Sequence, residues 1–179
     1  EAVGERVMAA QEAAQADDHR QALDILNAIA PTSPYDHFIV DQLRARALFE
    51  LDDLPGSVEA FEAALASGGA NEEESYSIET AIFQLNLVME NFDAVRQSLD
   101  RLLQYDFPMS GHMSRTVAQA YVQMDEFEAA LPYAIYARQV HDGEDRDTLL
   151  LLQYLYEQTG RADDATAMRQ IRLALFPEN

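Results

Sequence analysis

The sequence contains few side chains of the kinds that form covalent intermediates or bind metals. Cysteine and lysine are both absent from the 179 residues, so the chain has no thiolate, no disulfide and no lysine for Schiff-base chemistry. No two of its histidines stand at the spacing of metal ligands. We expect these side chains to be solvated near loops or helix ends: His19, His37, His112 and His141. The sequence therefore predicts no metal site, and we expect no cofactor.

One short stretch brings serine and histidine together. Residues Ser110 to Ser114, with His112 between them, lack the glycine-flanked turn that exposes a nucleophilic serine. The stretch lies where a helix is expected to begin, so we interpret it as a helix cap and loop. No glycine-rich phosphate loop is present, and carboxylates are too numerous for any pair to indicate acid–base catalysis. We predict that the chain is not an enzyme.

Charge and hydropathy restrict the classes of partner. Acidic residues outnumber basic ones by 32 to 12, which gives a formal net charge of -20. This field repels a polyanion, and no local basic patch counters it, so we predict no nucleic-acid binding. Although 48% of the residues are hydrophobic, no uninterrupted apolar stretch reaches the length of a membrane span. We predict no membrane insertion and expect a protein or peptide as partner.

An internal repeat organises the chain. Five segments align in one frame, and their equivalent small or β-branched residues are separated by 35, 38, 35 and 35 residues: Ala22, Ser57, Val95, Ala130 and Ala165. Residues three before, four after and seven after these positions fall on one stripe of a helix. The first two repeats carry Leu26 and Phe61 four residues later, whereas the last carries Arg169, followed by Arg172. This change indicates that no sixth repeat packs beyond the fifth.

A looser column precedes each of these helices. Ala10, Ala45, Phe83, Ala118 and Gln153 stand at equivalent positions, and the third of them departs most from the small residue expected there. The longer interval of 38 residues contains Ser67 to Glu74, and we expect its extra residues to extend either the loop or the first helix of the third pair. Its acidic run is typical of a helix N-terminus. Pro132 is awkward inside the fourth pair, where it either occupies the first turn or kinks the helix.

These columns resemble the tetratricopeptide repeat, and the resemblance covers nearly the whole chain. The fourth repeat matches best, with Ala118, Tyr121, Phe127, Ala130 and Ala137 at the family's small, aromatic and alanine positions. The resemblance implies an all-α fold, a right-handed superhelical α-solenoid of about five antiparallel helix pairs. We expect one domain over residues 1–179, with approximate repeats 3–37, 38–75, 76–110, 111–145 and 146–179. Where the family has a tryptophan and a leucine, this chain has pairs such as Asp41 with Arg44, or Glu79 with Ile82.

The resemblance also implies a binding surface. In this family the first helix of each pair lines a concave groove, and the residues just off the packing stripe face it. The implied peptide-binding residues are Gln11, Gln42, Arg46, Gln84, Arg115, Gln119 and Tyr154. Amides, guanidinium groups and a phenol can hydrogen-bond the backbone of an extended peptide, and Arg46 and Arg115 can hold a carboxylate. The family members that grip a C-terminal carboxylate use lysine, so that subclass is disfavoured.

Three hypotheses for the function remain open. The leading one is an interaction scaffold that holds a protein segment in the groove. The second is a structural module that forms a homodimer through its C-terminal end, where we expect apolar surface from Ile171, Leu173, Leu175 and Phe176. The third is an accessory domain of a larger envelope assembly. The start at Glu1 suits a mature form whose export signal was removed, or a trimmed chain, and weak similarity to exported bacterial repeat proteins favours the periplasm or envelope, with the cytoplasm as the alternative.

Overall fold

The computed structural model describes residues 2–178, and within this range the chain is built from ten α-helices. Consecutive helices form five pairs, which confirms the predicted all-α fold of five helix pairs. The bounds are α1 Val3–Gln15, α2 His19–Asn27, α3 Pro34–Glu50, α4 Leu54–Ala66, α5 Glu72–Val88, α6 Phe92–Leu102, α7 Gly111–Gln123, α8 Phe127–Val140, α9 Arg146–Gln158 and α10 Ala162–Leu175.

The chain divides into two compact units. Unit 1 extends to Asp106 and contains α1 to α6, whereas unit 2 begins at Phe107 and contains α7 to α10. In unit 1 a core cluster forms around Phe38, Phe61 and Ile82, and a second one around Ala10 and Leu26. In unit 2 the corresponding cluster joins residues of α7 to α10. The assignment of residues 1–179 to a single domain stays a prediction.

The small-residue column of the second helices is buried throughout, as its spacing predicts. Ala22, Ser57, Val95, Ala130 and Ala165 are each at most 4% exposed. A small side chain here lets the paired helices approach closely. Two serine hydroxyl groups form hydrogen bonds from one helix of a pair to the other. Ser57 Oγ donates to the Ala45 carbonyl oxygen at 2.7 Å, and Ser114 Oγ donates to the Tyr133 carbonyl oxygen at 2.8 Å. These bonds tie the two helices of a pair together without burying an unsatisfied hydroxyl.

The turn inside every pair has the same backbone conformation. One residue per turn has a positive φ: Asp17, Asp52, Glu90, Asp125 and Gly160, with φ between 55° and 74°. Their spacing is again 35, 38, 35 and 35 residues. In each case the next residue donates its backbone N–H to the carbonyl oxygen five residues earlier, as Asp53 does to Leu48 at 2.9 Å. This is the bonding of a Schellman-type helix end, which satisfies carbonyls left free by the ending helix.

Two predicted repeat boundaries fall inside helices. Helix α3 begins at Pro34 and α5 at Glu72, four residues before the boundaries expected at 38 and 76. The reason is capping, since Ser33 Oγ accepts the Asp36 N–H at 3.1 Å, and Asn71 and Glu74 form a reciprocal capping box. The extra length of the second repeat is taken up largely by helix, because α4 continues to Ala66 and leaves only residues 67–71 as a connection.

Arg172, near the end of the C-terminal helix α10, is buried and not solvated. Arg172 was expected to mark a solvated end, but it is only 5% exposed. Its guanidinium donates to Glu178 at 3.0 Å and to Gln153 at 3.4 Å, which compensates part of the cost of burying the charge. Ile171 and Phe176 pack against the unit 2 core, while Leu175 stays exposed. Pro132 lies inside α8, which continues to Val140.

Over the described residues 2–178, none of the helices has both the length and the apolar character needed to cross a bilayer.

Candidate functional site

The first helices of unit 1 present a surface that contains two neighbouring cavities. We call the surface formed by α1, α3 and α5 the first-helix face of unit 1. The three residues at equivalent repeat positions, Gln11, Arg46 and Gln84, all line these cavities. The structure therefore brings together, on one face, three of the seven residues that the resemblance implied.

The larger cavity lies between α3 and α5 and has a volume of about 450 Å³. We call it the α3–α5 cavity. Its walls are mostly apolar, and α4 supplies part of the floor through Phe61. The lining residues are Arg46, Phe49, Glu50, Phe61, Ala81, Gln84, Leu85 and Val88. Two apolar side chains at its edge are left in solvent, since Phe49 is 49% exposed and Val88 is 71% exposed.

The smaller cavity lies between α1 and α3, with α2 behind it, and has a volume of about 370 Å³. We call it the α1–α3 cavity. It is more polar, because Gln11, Gln15 and His19 line it together with Arg46 and Glu50. Arg46 and Glu50 thus belong to both cavities and stand at their junction. A segment crossing from one cavity to the other would pass these two side chains.

Arg46 differs from most arginines of the chain in having no partner of its own. Among the described residues its guanidinium makes neither an ion pair nor a hydrogen bond, although the chain carries 32 acidic residues. Gln11 and Gln84 likewise use no amide hydrogen bond within the described part of the protein. Five guanidinium donors and two amides are therefore free on this face for an external acceptor or donor. Gln42, one turn before Arg46 in α3, is half-buried and does not line these two cavities.

In unit 2 the implied site residues have other surroundings. Arg115 in α7 donates through Nη1 to the Asp145 carboxylate at 2.8 Å, and Asp145 also caps α9 by accepting the Thr148 N–H at 2.9 Å. Any carboxylate of a partner would have to compete with Asp145 for Arg115. Partial burial acts to raise the pKa of Asp145, but the hydrogen bonds from Thr148 and the Arg115 charge together outweigh it and lower the pKa below its ordinary value.

The two other implied residues of unit 2 are exposed. Gln119 points to solvent from α7. Tyr154 in α9 packs its ring edge-on against Phe127 of α8, with 5.8 Å between ring centroids, and keeps part of its surface in solvent. An exposed phenol held by an aromatic neighbour is a rigid contact surface. The structure places these residues, but whether any of the seven binds a peptide stays a prediction.

A buried ion-pair cluster in unit 1 was not anticipated from the sequence. The Glu79 side chain in α5 is only 6% exposed, and Arg101 Nε in α6 donates to it at 3.0 Å. Arg101 Nη2 also donates to Glu62 of α4 at 2.9 Å. Burial raises the pKa of Glu79 above its ordinary value, the Arg101 charge opposes this, and the Glu62 charge adds to it. The only signal was Glu79 itself, a carboxylate at a position where the repeat family has a large apolar residue.

The residues considered for catalysis or metal binding are placed apart. Ser110 caps α7 by accepting the Met113 N–H at 3.1 Å, as expected. Of the histidines, His37, His112 and His141 are exposed, and His19 lies 3.6 Å from Asp17. In the part of the chain that the structure describes, no group of three or more histidine or carboxylate side chains is arranged to hold a metal ion.

Comparison with solved structures defines the class of fold. MamA from strain AMB-1 superposes with a TM-score of 0.76 at 17% identity, over 98% of each chain. A tetratricopeptide repeat protein from Parabacteroides merdae gives a TM-score of 0.79 at 14% identity, covering 99% of this chain and 68% of that one. A putative kinesin light chain from P. anserina with nearly identical TPR-like repeats gives 0.69 at 13% identity, covering 97% and 93%.

These similarities define the chain as a helical-repeat solenoid. More narrowly, it has the tetratricopeptide-repeat fold, which confirms at the level of fold the resemblance seen in the sequence. No protein-family model and no curated protein matches the sequence.

Proposed function

We propose that this chain is a protein-interaction scaffold and that the first-helix face of unit 1 holds a segment of a partner protein. The observation that carries the proposal is the position of Arg46, an unpaired guanidinium at the junction of two cavities that together extend across α1, α3 and α5. A peptide backbone offers carbonyl oxygens at regular spacing, and Arg46, Gln11 and Gln84 offer donors along that direction. The fold supports this function, because stacked helix pairs present extended surfaces for binding.

A capture experiment with matched variants tests the proposal. The test variant carries Arg46→Ala and Gln84→Ala, and the control carries Arg20→Ala and Gln97→Ala, which removes the same residue types from exposed positions on α2 and α6. Both proteins are first shown to be equally helical by circular dichroism. We expect partners captured from a native extract by the unmodified chain and the control to be lost from the test variant. Equal capture by all three would contradict a site on this face.

A homodimer through the C-terminal end is a second proposal. It is supported by Leu175, which stays exposed at the end of α10 while its neighbours Ile171 and Phe176 pack inward. Sedimentation of the chain and of Leu175→Glu over a range of concentrations tests it, because only the unmodified chain should gain mass on concentration. A location in the periplasm or envelope, with the cytoplasm as the alternative, likewise stays a proposal, and fractionation of the source cells tests it.

A further inference from the structure

The two cavities on the first-helix face of unit 1 are almost free of acidic side chains, although they belong to an acidic unit. Residues 1–106 carry 21 acidic residues against six arginines. Only one of these acidic residues, Glu50, lines either cavity, and Arg46 stands one helical turn before it. Among the lining residues the Arg46 and Glu50 charges therefore balance, while the excess of acidic residues lies elsewhere in the unit.

This distribution discriminates against charged ligands of both signs. An acidic segment is repelled by the negative field of the unit and finds only Arg46 to compensate it. A basic segment is attracted to the unit as a whole, but within the two cavities it finds only the Glu50 carboxylate. The free-energy cost of leaving water for this face is smallest for uncharged residues.

The α3–α5 cavity adds a requirement for apolar surface. Its apolar walls and the exposed edges of Phe49 and Val88 gain free energy when a large apolar side chain covers them, at roughly 25 cal/mol per Å² of apolar surface removed from water. A cavity of about 450 Å³ has room for one such side chain with part of its backbone. The free amides of Gln11 and Gln84 and the Arg46 guanidinium satisfy the polar backbone atoms that follow the side chain into the site.

Resting on the proposed function, we infer that the occupant of this face is an uncharged protein segment that inserts one large apolar side chain into the α3–α5 cavity. The backbone next to that side chain crosses Arg46 toward the α1–α3 cavity. Specificity then comes from the anchor side chain and from the absence of charged neighbours, rather than from ion pairs.

The test is selection of random peptides displayed on phage against the full chain, followed by binding measurements with the synthetic peptides selected. Three variants are compared with the unmodified chain. Val88→Glu puts a charge at the edge of the cavity, and Leu103→Glu puts the same charge at another exposed apolar position of unit 1. Val88→Ser removes the apolar contact without adding a charge, and circular dichroism verifies that all three fold.

We expect the selected peptides to share an apolar anchor flanked by uncharged residues. Their affinity should change less than about twofold between 50 and 500 mM salt, since few ions are released on binding. Val88→Glu should weaken binding at least about tenfold and Val88→Ser about threefold, which correspond to losing part of one buried apolar contact. Leu103→Glu should leave the affinity unchanged.

The outcomes separate the two proposals. If no peptide is selected, peptide recognition by this chain fails as a function. If the selected peptides are charged and their affinity falls steeply with salt, recognition stands and the inference is overturned. It is also overturned if Val88→Glu binds as tightly as the unmodified chain, or if sedimentation shows that a second copy of the chain occupies the cavity and that Val88→Glu disperses it.

Discussion

The Glu79 carboxylate lies 3.0 Å from Arg101 Nε in the interior of unit 1, and the same guanidinium reaches Glu62 at 2.9 Å. One cation therefore joins three helices, α4, α5 and α6. Glu79 is the buried member, whereas Glu62 and Arg101 keep roughly two fifths of their side chains in solvent. Removing the Glu79 charge leaves two partly exposed charges, whereas removing Arg101 leaves the buried Glu79 carboxylate without its donor. The two substitutions should therefore change the free energy of unfolding differently.

Glu79→Gln should leave stability at pH 7 unchanged or raise it by up to about 1 kcal/mol. The pKa of Glu79 is raised in the fold, so its contribution to stability is fully present below the ordinary value of 4.5 and is lost as the pH rises through the raised value. A neutral amide mimics the protonated carboxyl and removes that loss. Urea unfolding of both proteins from pH 4 to pH 8 should show a difference that grows in favour of the variant as the pH rises. The prediction would be wrong if the variant lost stability relative to the unmodified chain as the pH rises from 4 to 7.

Arg101→Ala should lower the free energy of unfolding by about 2 kcal/mol at pH 7, because it leaves the buried Glu79 charge without its hydrogen-bond donor. The loss should shrink at lower pH, where Glu79 is protonated. The double variant with Glu79→Gln is the control, since it should recover part of the stability at neutral pH. Equal losses at all pH values would show that Arg101 acts only through packing.

Glu90→Gly should stabilise the protein by about 0.5–1 kcal/mol. Glu90 has a φ of 55°, a left-handed conformation that strains a residue with a Cβ and that glycine adopts freely. Part of the gain is offset by the greater freedom of glycine in the unfolded chain. The equivalent residue of the fifth pair is already glycine, so Gly160→Ala should destabilise by about 1 kcal/mol. Thermal unfolding of both variants measures the two effects. Melting temperatures that shift in the same direction would contradict the prediction.

Gly69→Ala should destabilise unit 1 by about 1–3 kcal/mol. A Cβ at Gly69 would overlap the Pro34 carbonyl and the Tyr35 Cα, so the connection 67–71 would have to move away from the start of α3. Gly4 provides a control within the same unit. It lies in α1 with open space around it, and Gly4→Ala should stabilise by about 0.5–1 kcal/mol through helix propensity. Chemical unfolding measures both, and a neutral Gly69→Ala would show that the connection packs more loosely.

Glu144→Gln should lower the free energy of unfolding by about 0.5–1 kcal/mol at pH 7. Arg138 donates to both oxygens of Glu144, at 2.8 and 3.0 Å, and these hydrogen bonds lower the pKa of Glu144. A carboxylate with a lowered pKa contributes stability above its ordinary value of 4.5 and loses it as the pH falls through the lowered value. The deficit of the variant should therefore disappear at strongly acidic pH. A deficit that persists there would point to packing by the Arg138 stem instead.

The repeat was readable because its determinants are local. A small residue such as Ala130 and the residues three before and four after it lie on one face of a single helix, so one alignment shows this spacing in all five repeats. The boundaries of α3 and α5 were less accurate, since the caps Ser33 and Asn71 act on helices whose extra first turn has no counterpart in the other repeats.

Predicting the candidate site was a different problem. The column of Gln11, Arg46 and Gln84 follows from the repeat and the family resemblance, but the α3–α5 cavity does not. Its walls come from three different helices, α3, α4 and α5, which meet only in the folded chain. The cluster of Glu62, Glu79 and Arg101 was equally hidden, because Glu79 alone departs from the family pattern and nothing in the sequence names its partners.

The sequence by itself determined the five helix pairs and their spacing, because a period of about 35 residues repeats the same local pattern of small and large side chains. Only the tertiary structure decided which polar groups are free to bind. Arg46 and Arg115 both belong to the groove residues that the resemblance implied, yet Arg115 is held by Asp145, 30 residues away, while Arg46 has no partner among the described residues. Ion pairs between helices depend on side chains that meet only after the helices pack, and no local pattern records them.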